Sequence, residues 1–340
     1  TLNSTLASYV PAEIPVPVDF VKYASQNYLL SSNNDKLTVV QPNDIIVSKN
    51  SGQFTTISAA IAYIGTLSNT SVIIRVFPGT YMENNPLILP NYTCLRGEGS
   101  GGNTTIIGIN PGVVIQIGDM NCVENFAIAG GTITIAHNGS NVNAFSMVKN
   151  SLISVDNSAT ALSVYGGMGS LIVSCVSIVS TGTGTNTGKT IIVNGASLIA
   201  SELMLQTPSE CGMEMSGGVA TLNVASFYYC THGICAKNGA IIRATLINAI
   251  SCGTGLSLEV NDVLPSVPSV LAISNLNIEL CTTDINCDEN VVVNIFGGRI
   301  DLAKITGTKT LNFCGVFQHT HTMPDLSLKP EQILTGETYI

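Results

Sequence analysis

Tryptophan is absent from this 340-residue chain, and charge is scarce. Only 10% of the residues are Asp, Glu, Lys or Arg, where a globular domain carries about a quarter. Thirteen Lys and Arg stand against 22 Asp and Glu, for a formal net charge of −9, and no basic cluster occurs. That excludes a phosphate-tracking surface, and with it nucleic acid as a partner. No apolar run reaches the roughly 20 residues a membrane-spanning helix needs. There is no Cys-x-x-Cys pair among the ten cysteines, which argues against structural zinc. No signal-like segment opens the chain, which begins at Thr1 without Met; a trimmed form with a removed leader fits this.

The missing charge is replaced by Asn, Ser, Thr and 32 glycines. Long surface helices need Glu, Lys and Arg on their wet faces, so this composition disfavours them and suits short strands joined by many turns. Asn-x-Ser/Thr sequons lie at Asn3, Asn69, Asn91, Asn103 and Asn138, and they matter only if the chain passes through a secretory compartment. Residues 1–46 carry Pro11, Pro15 and Pro17 and predict an extended, polyproline-like arm that orders by lying against its own body or a neighbour.

From Ala161 onward a loose repeat emerges. Gly212, Gly233 and Gly255 are 21 and 22 residues apart, and each opens a short alternating strand, a small-residue turn and a second alternating strand. A period of 20–25 residues built from strands with period-2 alternation predicts a stacked solenoid of about three strands per coil, a right-handed parallel β-helix. Cys230, Cys252 and Cys281 share the frame Cys-x-x-[Gly/Asp] at spacings of 22 and 29. They are expected to stack inside as an apolar ladder of free thiols, since in-register Cβ vectors are parallel and suit a disulfide poorly. A solenoid must also cover its open end. "FTTISAAIAYIGT" at 54–66 places Ile57, Ala60, Ile61 and Ile64 on one helical stripe, which predicts a cap helix near 54–65.

The same stretch resembles the N-terminal cap and first coils of pectin methylesterases, in the pectin-lyase-like superfamily. The resemblance rests on Gly52, Phe54, Thr56-Ile57, Gly79, Tyr81, Glu83, Leu95, Gly97 and Thr105-Ile106, and it covers about 60 residues. It implies a right-handed β-helix entered through its lid. The family's catalytic motifs supply two aspartates, an arginine and glutamines, and none can be placed here. The closely spaced aspartates of polygalacturonases and the acidic calcium cluster of pectate lyases are likewise not found. Solenoids of this superfamily serve as surface proteins of large DNA viruses and phages, so the resemblance also implies a viral structural role by fold analogy.

Several residues invite chemistry. His319 and His321 in "GVFQHTHTMPD" alternate onto one face, and three such pairs at a trimer axis would hold one transition metal; a surface or interface role is the alternative. Tyr165, Tyr228 and Tyr229 are candidate glycan contacts, as is Arg243, which with Lys237 would line a sugar groove; a plain outward surface position is the alternative. Glycoside hydrolysis needs two facing carboxylates. Asp119, Glu124, Asp156, Glu202, Glu210 and Glu214 share no evident column, and structural roles are expected for them. His232 lies between Cys230 and Cys235, His137 is expected in a loop, and Cys235 is expected buried and inert. "TGTGTNTGK" at 181–189 lacks phosphate-loop spacing and reads as a protruding loop.

The sequence thus predicts an arm at 1–46, a β-helix at 47–318 and a tail at 319–340. The expected function is a non-enzymatic structural or adhesive homotrimer, a virion surface or capsid-associated component whose partners are itself, other capsid proteins or surface glycans. The alternatives are a carbohydrate-active enzyme, sited in the groove beside the 181–188 loop, and a glycan-binding module.

Overall fold

The computed structural model describes residues 44–318 apart from 66–70, 100–101, 142, 157, 167–168, 181–187, 259–267, 288–290, 308–309 and 314–315. It also describes the strands Phe20–Tyr23, Tyr28–Asn33 and Lys36–Val40. Alternation with period 2 becomes, in space, a right-handed parallel β-helix of about nine turns. Each middle coil has one long bent strand and one short strand. The long strands Phe145–Val155, Ser170–Ser180, Ser197–Gln206, Val219–Tyr228, Ile241–Ile250 and Val270–Glu279 pair in parallel, residue over residue. The short strands Thr160–Tyr165, Lys189–Asn194, Cys211–Ser216, His232–Lys237, Thr254–Leu258 and Thr283–Cys287 do the same on another side.

The bend has a residue-level cause. Asn125, Asn150, Cys175 and Glu202 all have left-handed backbone, with φ between 49° and 65°, and fall at the corner of successive coils. Asn tolerates that conformation well; Cys and Glu do so at a cost. In the strands that carry these residues, the corner divides one long strand into two faces, and the short strand closes the third.

Inside, like stacks on like. Leu162, Ile191, Met213, Ile234, Leu256 and Ile285 form one column, and all are fully buried. Burying one such side chain is worth about 1.5–3 kcal/mol, and none of it is available to a coil standing alone. The repeated glycines stack at an inner corner. A Cβ on Gly233 would sit 2.6 Å from the Gly255 carbonyl oxygen, and one on Gly212 would sit 2.7 Å from that of Gly233. The repeat seen in the sequence is thus a steric requirement of close coil approach.

Cys230, Cys252 and Cys281 are free, buried and stacked as expected. Each thiol donates to a carbonyl of a neighbouring coil: to Thr207 O at 3.4 Å, Phe227 O at 3.7 Å and Ala249 O at 3.6 Å. Cys235 departs from expectation. It is half-buried and disulfide-bonded to Cys211, with Cα atoms 6.4 Å apart. The two are not register partners: Cys211 pairs with His232 and Cys235 with Glu214, so the bridge runs diagonally.

The N-terminal boundary also differs. Residues 20–40 contain an antiparallel three-stranded meander, where an extended arm was expected. Two alternating runs flank Asn34-Asp35, which is hairpin chemistry, while the prolines that suggested an arm all precede it. The solenoid starts at Asp44, three residues before position 47, because Asp44–Val47 pairs in parallel with Val72–Val76. The last described strand is Val316–Gln318.

The cap helix spans Ile57–Ile64 and buries Ile57, Ala60 and Ile64 against the first coils. Thr56 caps it, accepting from the Ala59 N–H at 3.3 Å. Glu83, on the strand Gly79–Glu83, accepts from the Ile57 N–H at 2.7 Å and the Ser58 N–H at 3.2 Å. A carboxylate at a helix N-terminus meets both unpaired donors and the positive end of the dipole. The edge of the first strand is covered too: Ile46 N–H donates to Gln53 Oε1 at 2.9 Å and Phe54 N–H to Ile46 O at 3.1 Å. Buried Tyr81 donates to Phe77 O at 2.8 Å. Tyr81 and Glu83, which carry the family resemblance, serve the lid.

Two variants test this account. Gly233→Ala should cost about 1–3 kcal/mol through overpacking, read as a lower urea midpoint. Glu83→Ala should cost about 1–3 kcal/mol by orphaning two helix donors, whereas a change at exposed Thr80, Thr80→Ala, should leave the midpoint unmoved.

Candidate functional site

The first face of the long strands changes character along the rod. Near the lid it carries a ladder of charge. Arg75, Arg96, Glu124 and Lys149 are register partners on successive strands, so four outward side chains fall in one column. Arg75 donates from Nε to Glu98 at 2.7 Å and lies 3.4 Å from Asp44. Glu124 is held from both sides, by Arg96 Nε and by Lys149 Nζ at 2.5 Å. Its side chain is nearly buried. Burial alone would raise its pKa, but the hydrogen bonds and charges of Lys149 and Arg96 outweigh this, and the carboxyl titrates below its ordinary value. A carboxylate locked in that way is no proton donor at neutral pH.

The adjacent column reads Ile73, Cys94, Cys122, Met147. Cys94 and Cys122 are half-buried free thiols on directly paired residues, and the Cys94 thiol lies 3.9 Å from Glu124 Oε1. The two Sγ atoms and a Glu124 oxygen all lie within 4.8 Å of one another. The pair shares its protons: the hydrogen bond from Cys94 favours a thiolate on Cys122, against burial, and correspondingly raises Cys94. Sequence inspection missed this cluster, since its members are 28 residues apart and motif spacing for metal ligands is local. The signal was the register of the solenoid itself.

The residues singled out from sequence are dispersed. Tyr165 is exposed on the short-strand side, between Asn138 and Asn194. Tyr228 and Tyr229 sit at the end of another face, ring centroids 6.4 Å apart, and make no row with Tyr165. Arg243 is exposed between Thr221 and Ala272. Lys237 is on the short-strand side, engaged with Glu214 at 3.3 Å, and Lys189 meets the same carboxylate at 2.5 Å, so no groove unites Lys237 with Arg243. Cys230 is buried and Cys235 bridged, which leaves His232 without a thiol partner for catalysis. His319 and His321, and most of the 181–188 loop, lie outside the described residues.

His137 is not in a loop. It lies on the strand Ile133–Asn138 in an inward column between Ile117 and Val164, and burial lowers its pKa against the opposing pull of Asp119. Asp119 accepts from Ser140 Oγ at 2.7 Å and from the Ser140 N–H at 2.9 Å, which pins the turn beside it. Among the described residues, Glu124 and Glu214 are each neutralised by two cations.

No protein-family model matches the chain, and no curated relative does. Among solved structures, the chain is similar to the Yersinia enterocolitica family 28 exopolygalacturonase, at 9% identity and a TM-score of 0.40, over 85% of this chain and 82% of that one. It is similar to tailspike gp49 of the Acinetobacter baumannii bacteriophage Fri1, a capsular polysaccharide depolymerase (10%, 0.38, 86% and 69%). It is also similar to the A-module of the Azotobacter vinelandii mannuronan C-5 epimerase AlgE6 (10%, 0.36, 78% and 94%). Likeness at this level concerns the fold alone. No helix among the described residues is long and apolar enough to cross a membrane.

The ladder makes a pH prediction. Because the folded-state pKa of Glu124 lies below its reference value of 4.5, its contribution is complete above pH 4.5 and is lost as pH falls through the folded pKa. The melting-temperature gap between the wild-type chain and Glu124→Gln should therefore be widest near neutral pH and close on acidification. A gap that stays constant with pH would contradict the ladder.

Proposed function

We propose that the chain is a non-catalytic structural or adhesive rod that assembles as a homotrimer through the distal part of its first face. The observation that carries this is the loss of charge there. Two outward columns run Ser197, Val219, Ile241, Val270, Val292 and Ile199, Thr221, Arg243, Ala272, Asn294. Alongside them lie Ser201, Asn223, Thr245 and Ser274. Arg243 is the one charged side chain among these, where an ordinary protein surface is about a quarter charged. Flat, β-branched and Ser/Thr/Asn-lined, this face has little to keep it solvated and much to pack against its own copies.

The next face supports the same use. Asn248 Nδ2 donates to Ser226 Oγ and Asn277 Nδ2 to Asn248 Oδ1, each at 3.1 Å, so side chains are tied into a rigid strip. Such a rod fits a virion or extracellular surface, with itself, other capsid proteins or surface glycans as partners. Within this proposal, His319 and His321, which come next in sequence after the last described strand, are the residues that three copies would offer to a transition metal at a common axis.

Light scattering on the full chain tests the reading. The expected mass is about three times 35.5 kDa, falling to the single-chain value in Thr221→Glu/Ala272→Glu. A monomeric wild-type chain that cleaves polygalacturonate or its methyl ester would overturn it in favour of a carbohydrate-active enzyme.

A further inference from the structure

We propose that Cys94, Cys122 and Glu124 form a binding site for a thiophilic divalent d10 cation, zinc or its heavier congener cadmium. Three donors of suitable softness converge: two thiol sulfurs and a carboxylate oxygen, all within 4.8 Å of one another. A tetrahedral ion with bonds of about 2.3 Å to sulfur and about 2.0–2.2 Å to oxygen needs its donors roughly 3.5–3.8 Å apart, so small side-chain rotations complete the shell. Cys94 and Cys122 are register partners on adjacent parallel strands. Their backbones are about 4.8 Å apart with parallel Cβ vectors, a spacing that an ion bridges more easily than a disulfide, whose Cβ atoms must approach to about 3.5–4.5 Å. Cys211 and Cys235, which do bridge, are diagonal neighbours.

The surroundings suit an ion. Arg96 and Lys149 hydrogen-bond Glu124 and fix its orientation, as partners of ligating carboxylates do. Binding releases the thiol protons to solvent, and the two thiolates and the carboxylate then carry three negative charges against the two positive charges of these partners, which leaves a net attraction for the bound cation. Both thiols are half-buried on an outward face, which leaves a route in and a fourth position for water. Met147 stacks over Cys122 and covers the site from the next coil with a polarisable thioether.

The test uses the full chain with Cys175→Ser, which removes the one exposed free thiol among the described residues. Cadmium titration, followed by calorimetry and by thiolate-to-cadmium charge-transfer absorption, should show one ion per chain. Cys94→Ser/Cys122→Ser should abolish the band, and Glu124→Gln should weaken binding by about tenfold or more. Should the double variant fail to fold, alkylation of the Cys175→Ser chain decides: zinc should slow iodoacetamide modification of Cys94 and Cys122, mapped by mass spectrometry, at least tenfold. Equal alkylation with and without zinc, or a cadmium band that survives in the double variant, would overturn the proposal.

Discussion

Parallel strands stacked residue over residue impose a constraint that reaches every part of this molecule. Once Leu162 lies under Ile191 and Ile191 under Met213, the outward residues between them must stack as well. A side chain then has the same neighbours, one coil above and one below, whatever the loops between them do. The interior selects apolar residues that tolerate a column of their own kind. The close corners select glycine, as at Gly212, Gly233 and Gly255, because a Cβ would strike the next carbonyl. Register also decides that the outside of the rod is a set of ladders, and that function is written in ladders.

Stacking solves burial for the middle coils and leaves the ends exposed. The N-terminal end is handled by a short helix, a Gln side chain and the 51–54 segment, which together satisfy the first strand's backbone and cover its oily cross-section. Glu83 links lid to rod: its carboxylate leaves the strand Gly79–Glu83 and caps the N-terminus of the helix. Tyr81 and Glu83 are thus residues this β-helix needs in order to begin.

Much of this was legible in the sequence, for a physical reason. Columns that demand one residue type leave a period, and the glycines and the Cys230, Cys252, Cys281 ladder left one strong enough to fix coil length and register. The cap helix was legible from its apolar stripe. The ionic ladder was not, since Arg75, Arg96, Glu124 and Lys149 differ in type and are unevenly spaced, so no period marks them. Cys94 and Cys122 escaped because a single pair 28 residues apart sets no period. His137 misled because "AHNGSN" looks like a turn; the strand runs on through Asn138 and the chain leaves it only at Gly139, after the His137 side chain has already pointed inward. The corners at Cys175 and Glu202 gave no warning, as neither residue type favours left-handed backbone.

The rod thus divides along its length. Near the lid, charge and sulfur sit in adjacent columns; farther along, charge gives way to Ser, Thr, Asn and β-branched side chains. Both properties exist only if register holds from coil to coil. A distance measurement between nitroxide labels at Leu152 and Asn277, with accessible native thiols replaced, tests that directly. These positions are five rungs apart in one outward column, through Ser177, Met204, Ser226 and Asn248. In-register stacking predicts a narrow distribution centred near about 24 Å, five steps of about 4.8 Å, before the label arms are added. A broad distribution, or one centred far from that value, would contradict it.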